Sequence, residues 1–248
     1  MLIHDLLRRK GGVLHFTLID PDRQTADELF RRARKCGEYG TDAIMVGGSS
    51  SFGQRLLDET VTTIKSAVDL PVILFPNSAA ALSPHADYIF FMSLLNADDP
   101  RFLIREQAAA APIVERSGLR PISMAYIVIS TSRRPTSIEK RTKRDVLGPR
   151  DDAKVLGYAL AAQYLGLSCV YLEAGSGADR PVPLHLIRAV KEGIRVPLIV
   201  GGGIRKAEQA ASIAQAGADV IVTGTIVEQS LLKLKSIIRA VHRSRAKG

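Results

Sequence analysis

Sulfur and long apolar runs are nearly missing from this chain. Its 248 residues include two cysteines, Cys36 and Cys169, and neither has a second Cys or a His at ligand spacing. A disulfide framework and a zinc site are therefore not expected, and a reducing cytoplasm is the expected compartment. No apolar stretch reaches the roughly 18 residues that a membrane helix needs. The most apolar one, residues 86–95, is broken by Asp87 and Ser93. The opening Met1-Leu-Ile-His-Asp-Leu-Leu-Arg-Arg-Lys10 carries its charge after the apolar residues rather than before them, which argues against a secretory signal. No Pro-, Gly- or Ser-rich linker divides the chain, so a single domain over residues 1–248 is expected. Tryptophan is absent and aromatics amount to 5%, yet 46% of the residues are hydrophobic and 24% charged. That balance suffices for one large core and excludes a wholly disordered chain.

Positive charge is present in excess and unevenly placed. The net charge is +9, and residues 133–150 hold seven Lys/Arg against Glu139 and Asp145. Six more basic residues and no acid lie between Lys233 and Lys247. Such runs suit phosphorylated small molecules, nucleic acid or an anionic membrane surface, and they equally suit a solvated loop and a solvated helix face.

Short β-branched runs alternate with amphipathic stretches along the chain. The apolar runs are 13–19, 43–46, 72–75, 88–92, 122–129, 169–172, 197–200 and 220–222, each bounded by Gly, Pro, Asp or Ser. Helical patterns lie at 26–38, 55–68, 101–117, 152–165, 183–192, 206–216 and 227–243. The connection 77–86 after the third run is too short for more than a turn or two. Eight buried strands separated mostly by helices predict a covered parallel sheet, and at this length a (β/α)8 TIM barrel fits better than an open sheet. The segment 130–149 then becomes a long loop after strand five, on the face where strand ends carry the chemistry.

Polar residues at those strand ends are candidates for the site. They are Asp20, Asp22 and Arg23 after strand one, Gly47, Gly48, Ser49 and Ser50 after strand two, and Asn77 after strand three. Ser93 and Asn96 follow strand four, Glu173 and Gly175-Ser176-Gly177 follow strand six, Gly201-Gly202-Gly203 strand seven, and Gly224-Thr225 strand eight. Backbone N–H groups can approach a phosphate closely where no Cβ intervenes, so the glycine clusters after strands six to eight predict a phosphate site. Gly175-Ser-Gly177 does not continue into a dinucleotide fingerprint, because Arg180 stands at its sixth position. Glu173, beside those loops, is placed to take a proton from a substrate hydroxyl. Asp20 and Asp22 offer hard oxygens for magnesium, although Asp-Pro-Asp also makes a good turn and cap. His4, His15, His85, His185 and His242 have no metal-ligand spacing and read as structural.

The strings Thr17-Leu-Ile-Asp-Pro-Asp22, Ile44-Met-Val-Gly-Gly-Ser49, Phe90-Phe-Met-Ser-Leu-Leu-Asn96, Tyr171-Leu-Glu-Ala-Gly-Ser-Gly177, Val200-Gly-Gly-Gly-Ile204 and Val222-Thr-Gly-Thr225 carry a family resemblance. Together they make nearly the whole chain resemble the geranylgeranylglyceryl phosphate synthases of archaea and their bacterial heptaprenylglyceryl relatives. The resemblance implies a TIM-barrel prenyltransferase that uses Mg2+ to join a polyprenyl diphosphate to the 3-hydroxyl of sn-glycerol 1-phosphate, making the first ether bond of archaeal membrane lipids. It implies that Tyr171, Leu172, Glu173, Ala174, Gly175, Ser176 and Gly177, with Gly202, Gly203, Gly224 and Thr225, contact glycerol phosphate. It further implies that Asp20 and Ser49 hold magnesium, that Glu173 takes the hydroxyl proton, and that the chain forms a dimer or larger assembly. Some family members have a Lys two residues before the metal Asp, where this chain has Leu18. The basic stretch 133–150 matches no family pattern.

A prenyl tail requires an apolar groove, for which Phe91, Met92, Leu94, Leu95 and Tyr126 are candidates at strand ends, although each also suits plain barrel core. The competing enzyme class is an isomerase or lyase acting on a phosphorylated sugar, which would need a second acid/base group facing Glu173. A nucleic-acid partner is not expected, because no binding motif occurs and the basic stretch has no interleaved aromatics. An anionic membrane surface remains a reading of the basic charge, since long prenyl diphosphates are collected there.

Overall fold

The computed structural model describes residues 2–47, 53–141 and 145–244. Eight parallel strands close on themselves in sequence order, as the alternation predicts. They are β1 (Leu14–Ile19), β2 (Ala43–Gly47), β3 (Val72–Phe75), β4 (Tyr88–Leu94), β5 (Arg120–Val128), β6 (Cys169–Glu173), β7 (Leu198–Gly201) and β8 (Val220–Thr223). The seam is sealed by β1 against β8, with Leu14 opposite Val220 and Thr17 opposite Thr223.

Period-two alternation sorts the strand side chains into two layers. Leu14, Phe16, Met45, Ile73, Phe90, Met124, Tyr126, Tyr171, Ile199 and Val222 fill the interior. Ile44, Val46, Leu74, Ile89, Ile127, Val170, Leu172, Val200 and Ile221 face outward and pack beneath the helices. Closure leaves every strand hydrogen-bonded on both sides, which is why these strands tolerate almost continuous Val, Ile and Leu.

The helices of the outer layer are α2 (Ala26–Tyr39), α3 (Gln54–Ala67), α4 (Glu106–Ser117), α6 (Asp152–Tyr164), α7 (Leu184–Gly193), α8 (Ala207–Gln215) and α10 (Leu231–Arg243). Helix α2 begins at a capping box between Thr25 and Glu28 and ends at Gly40, where φ is 92°. Helix α1 (Leu2–Lys10) and the two short helices α5 (Ser137–Arg141) and α9 (Thr225–Gln229) complete the α-helices among the described residues.

Three local outcomes differ from the sequence pattern. The opening segment is a helix, α1, whose Leu2, Ile3 and Leu6 join the interior cluster at the N-terminal end of the barrel. Burial of about 1.5–3 kcal/mol per such side chain outweighs the short length of this helix. The continuous pattern 227–243 divides at Ser230, whose side chain accepts the Lys233 N–H and caps α10, leaving α9 as a separate turn. The pattern 101–117 enters through a π-helical turn, Arg101–Arg105, and carries Pro112 within α4. Between β3 and β4, residues 76–87 make only turns and bends, in keeping with a connection too short for more than a turn or two of helix.

Candidate active site

A cavity opens at the C-terminal ends of the strands. Glu173, the last residue of β6, points inward and is 6% exposed. The Gly175 N–H donates to its Oε1 at 2.5 Å, and the hydroxyls of Tyr171 and Tyr126 donate to the same carboxylate. Burial pushes the Glu173 carboxyl above its ordinary value, and the three donors partly offset that rise. The tyrosines are held by ring packing: Tyr126 lies 5.3 Å from Tyr171, and Phe75 packs against both at 5.6 and 5.8 Å. A buried carboxylate with a raised affinity for protons, on the wall of a cavity, is suited to general-base work.

The loops after β6 and β7 meet beside it. Gly202 and Gly203 have φ of 82° and 70°. A Cβ on Gly202 would lie 2.4 Å from Glu173 Oε1 and 2.7 Å from the Gly175 nitrogen, and one on Gly203 would lie 2.6 Å from the Arg180 backbone. Only glycine allows these two loops to touch. The N–H groups of Ser176, Gly177, Gly203 and Ile204 donate to no protein acceptor among the described residues. Thr225 opens α9 directly after Gly224, so its N–H is a free helix-end donor. Ser176, Gly177, Gly202, Gly203, Ile204, Gly224 and Thr225 line the cavity and Gly175 does not, giving a concentration of backbone donors that suits a phosphate.

The alternation divides the string 171–177. Tyr171 and Glu173 face the cavity, whereas Leu172 and Ala174 are fully buried in the outer layer. The Ala174 N–H is used by the Gly201 carbonyl at 3.0 Å. Leu172 and Ala174 thus shape the strand but do not line the cavity.

Asp20, just past β1, lines the opposite wall, and Gln24 donates to its backbone carbonyl at 2.8 Å. Asp22 lies in the turn Pro21–Arg23 and is not a lining residue. Ser49, together with Gly48 and Ser50, lies outside the described residues. The described residues contain no group of three His, Cys, Asp or Glu that could hold a metal. Hard-oxygen chemistry nevertheless fits magnesium, which commonly binds one or two carboxylates and takes its remaining ligands from phosphate and water. The charge pattern also fits: Asp20, Glu106, Glu173 and Glu228 line the cavity against one basic residue, Arg205, among the described residues. Glu106 is occupied by Arg101 and the Ala79 N–H, which hold it ionised against its partial burial.

From the glycine loops the cavity runs over Phe75 and Phe90 into the space where a β3–β4 helix is missing. Leu82, Ile89, Phe91, Met92, Leu94, Phe102, Ala110 and Tyr126 form its walls. Leu95 packs against the outer layer instead. Sequence reasoning finds Phe91, Met92, Leu94 and Tyr126 at the strand ends. It misses Leu82, Phe102 and Ala110, which arrive from a turn and from the α4 region.

The loop after β5 lies on this same face. Thr131 Oγ1 donates to the Arg180 carbonyl at 2.7 Å, and Asp179 accepts the Arg133 N–H at 3.1 Å. Thr136 packs directly over Gly175, and Ser137 and Ile138 line the cavity. Lys143 and Arg144 lie outside the described residues. None of the five histidines reaches the cavity. His15 is buried between Thr41 and Thr223, where desolvation holds its pKa down at about 3.

Comparison with known proteins gives a consistent result. The PcrB family model matches residues 4–244. The geranylgeranylglyceryl phosphate synthase of Pyrococcus horikoshii is 48% identical over 245 residues, covering 98% of this chain and 92% of the relative. The crystal structure of (S)-3-O-geranylgeranylglyceryl phosphate synthase from Thermoplasma acidophilum, in complex with sn-glycerol-1-phosphate, superposes with a TM-score of 0.93 at 41% identity, covering 98% of this chain and 99% of that one. Wild-type GGGPS from Thermoplasma volcanium gives a TM-score of 0.91 at 42% identity, with 98% of each chain covered.

Proposed function

This chain belongs to the PcrB family, and from that premise we propose that it transfers a polyprenyl group from its diphosphate to the 3-hydroxyl of sn-glycerol 1-phosphate. The observation that carries the reading is the continuity of one cavity. Free backbone donors and a buried carboxylate stand at one end, and an apolar groove leads away from them. A sugar-phosphate isomerase has no use for such a groove, whereas a prenyl tail requires one.

In this reading the glycine loops and the N-terminus of α9 hold the phosphate of glycerol phosphate, and Glu173 accepts the proton of the 3-hydroxyl. The freed oxygen bonds to the allylic carbon as the carbon–oxygen bond to diphosphate breaks, and the diphosphate leaves with the bonding pair. Asp20, with Ser49, would hold Mg2+, which when bound stabilises the charge of the leaving diphosphate. Tyr126 and Tyr171 orient the Glu173 carboxylate, and the apolar walls exclude water that would compete for the allylic centre.

Geranylgeranyl is the proposed donor chain, in line with the names of the relatives. A cytoplasmic setting is proposed from the two free, buried cysteines. Among the described residues no helix is long and apolar enough to cross a membrane. Collection of the prenyl donor at an anionic membrane surface and assembly into a homo-oligomer complete the proposal. Incubation with glycerol 1-phosphate, Mg2+ and a ladder of prenyl diphosphates, read by mass spectrometry, tests it. A prenylglyceryl phosphate is the expected product, and its absence with every donor would refute the reading.

A further inference from the structure

Arg205 is the one basic side chain among the described residues that lines the cavity, and its contacts are with backbone carbonyls. Its guanidinium donates to the Gly177 carbonyl at 3.2 Å, the Gly203 carbonyl at 3.4 Å and the Asp179 carbonyl at 3.5 Å. Gly177 and Asp179 belong to the loop after β6, and Gly203 belongs to the loop after β7. One rigid fork therefore spans both loops.

The consequence lies on the other side of those peptides. In a planar trans peptide the carbonyl and the following N–H point in opposite directions. Drawing the Gly203 carbonyl toward the guanidinium leaves the Ile204 N–H, which has no protein acceptor among the described residues, on the opposite side of that peptide. Drawing the Gly177 carbonyl the same way steadies the turn closed by the Ala178 N–H on the Gly175 carbonyl at 3.1 Å. Glycines that permit left-handed backbone do not enforce it, so something must select this arrangement from the many open to them.

We propose that Arg205 is a positioning residue that clamps the loops after β6 and β7 and so pre-forms the backbone site for the phosphate of glycerol phosphate. The inference rests on the prenyl-transfer reading for the identity of that ligand. The clamp itself is a property of any phosphate ester bound by these loops. The charge contributes as well, because a fixed cation offsets the carboxylates of the cavity at the end where a phosphate enters.

The test uses the full chain with Arg205→Met and Arg205→Lys variants. Calorimetry with glycerol 1-phosphate is expected to give a Kd raised about 10- to 100-fold in Arg205→Met, the range for losing a charge-assisted tie. The KM for prenyl diphosphate should change by less than about threefold, since the apolar groove leads away from this end of the cavity. Arg205→Lys should stay within about threefold of Arg205→Met, because one ammonium cannot reach carbonyls on two loops at once. In Arg205→Ala, guanidinium ion at non-denaturing millimolar concentration should restore part of the affinity, and sodium chloride at equal ionic strength should not.

Wild-type affinity in Arg205→Met, full recovery by lysine, or a parallel rise in the prenyl KM would each overturn the clamp. If the wild-type chain fails to bind glycerol 1-phosphate at all, the prenyl-transfer reading falls instead. Inorganic phosphate then serves as the probe: weaker phosphate binding in Arg205→Met supports the clamp, and equal binding refutes it.

Discussion

Replacing Gly202 by alanine tests whether the contact between the two glycine loops is what builds the site. The residue has φ of 82°, and a Cβ there would stand 2.4 Å from Glu173 Oε1, 2.7 Å from the Gly175 nitrogen and 2.9 Å from the Ala174 nitrogen. The left-handed backbone alone costs an L-residue about 1–2 kcal/mol. Two of the three contacts are backbone atoms that cannot rotate away, so the loop must shift, which adds roughly 1–2 kcal/mol of overpacking. A total of about 2–4 kcal/mol corresponds to a melting temperature lowered by roughly 5–15 °C for a domain of this size. Gly118→Ala provides the internal control. Its φ is 74°, but a Cβ there meets nothing within 4 Å, so it bears the backbone cost alone and lies far from the cavity. Thermal melts of the two variants separate strain from contact, and calorimetry with glycerol 1-phosphate reads the site. Gly202→Ala should melt below Gly118→Ala and bind at least about tenfold more weakly, because the Gly175 N–H and the Glu173 carboxylate are displaced together. Melting no lower than Gly118→Ala, with wild-type affinity, would refute the reasoning.

Three other expectations concern charge. Glu173→Gln should retain glycerol phosphate and lose roughly 10²–10⁴ in kcat. Burial raises the folded-state pKa of Glu173 above its ordinary 4.5, so its contribution to stability is full below that value and lost as pH climbs through the folded pKa. The Gln variant should therefore melt higher than wild type at pH 8 and converge with it in acid; an equal or lower melt at pH 8 contradicts the burial argument. His15 has the opposite sign: the folded imidazole stays neutral down to about 3 while the unfolded one protonates near 6.5. Stability should then fall by up to about 1.4 kcal/mol per pH unit across that window. In urea titrations His15→Gln should flatten that slope, and identical slopes would remove His15 as the cause. Neutralising Lys140, Arg141, Lys143 and Arg144 together should raise the KM for prenyl diphosphate and flatten its salt dependence, since exposed charge is screened over about 10 Å at 0.1 M. The KM for glycerol phosphate should barely change, and an unchanged prenyl KM at low and high salt would leave the stretch as a solvated loop.

The barrel and one end of the cavity were legible because both depend on local signals. Val, Ile and Leu runs of strand length mark β2, β3, β7 and β8, and glycines at successive strand exits mark loops that can approach a phosphate. What was not legible depends on tertiary placement. Helix α1 has charges close behind its apolar residues and becomes credible only when the open barrel end is there to bury Leu2 and Ile3. Ser230 divides α9 from α10 through a cap that the apolar periodicity of 227–243 does not register. Leu172 and Ala174 belong to a string that reads as one motif, yet the pleat turns them away from Glu173. Arg205 stands two residues after the last glycine of Gly201-Gly202-Gly203, and that proximity was the available clue to it.

The gap between β3 and β4 has a consequence for what counts as part of this fold. A barrel of this kind covers each strand with a helix, but residues 76–87 supply none, and Ile89, Phe91, Leu82 and Ala110 are left facing the cavity. A hydrocarbon lying along that strip would take the place of the absent helix, and under the proposed reading the donor's tail would act as a borrowed structural element. Each methylene covered there contributes about 0.8 kcal/mol before ordering costs. Stabilisation by unreactive prenyl analogues should therefore climb with chain length and level off where the strip ends. The length at that plateau is the protein's own measure of its substrate, set by how much of its outer layer it leaves unbuilt.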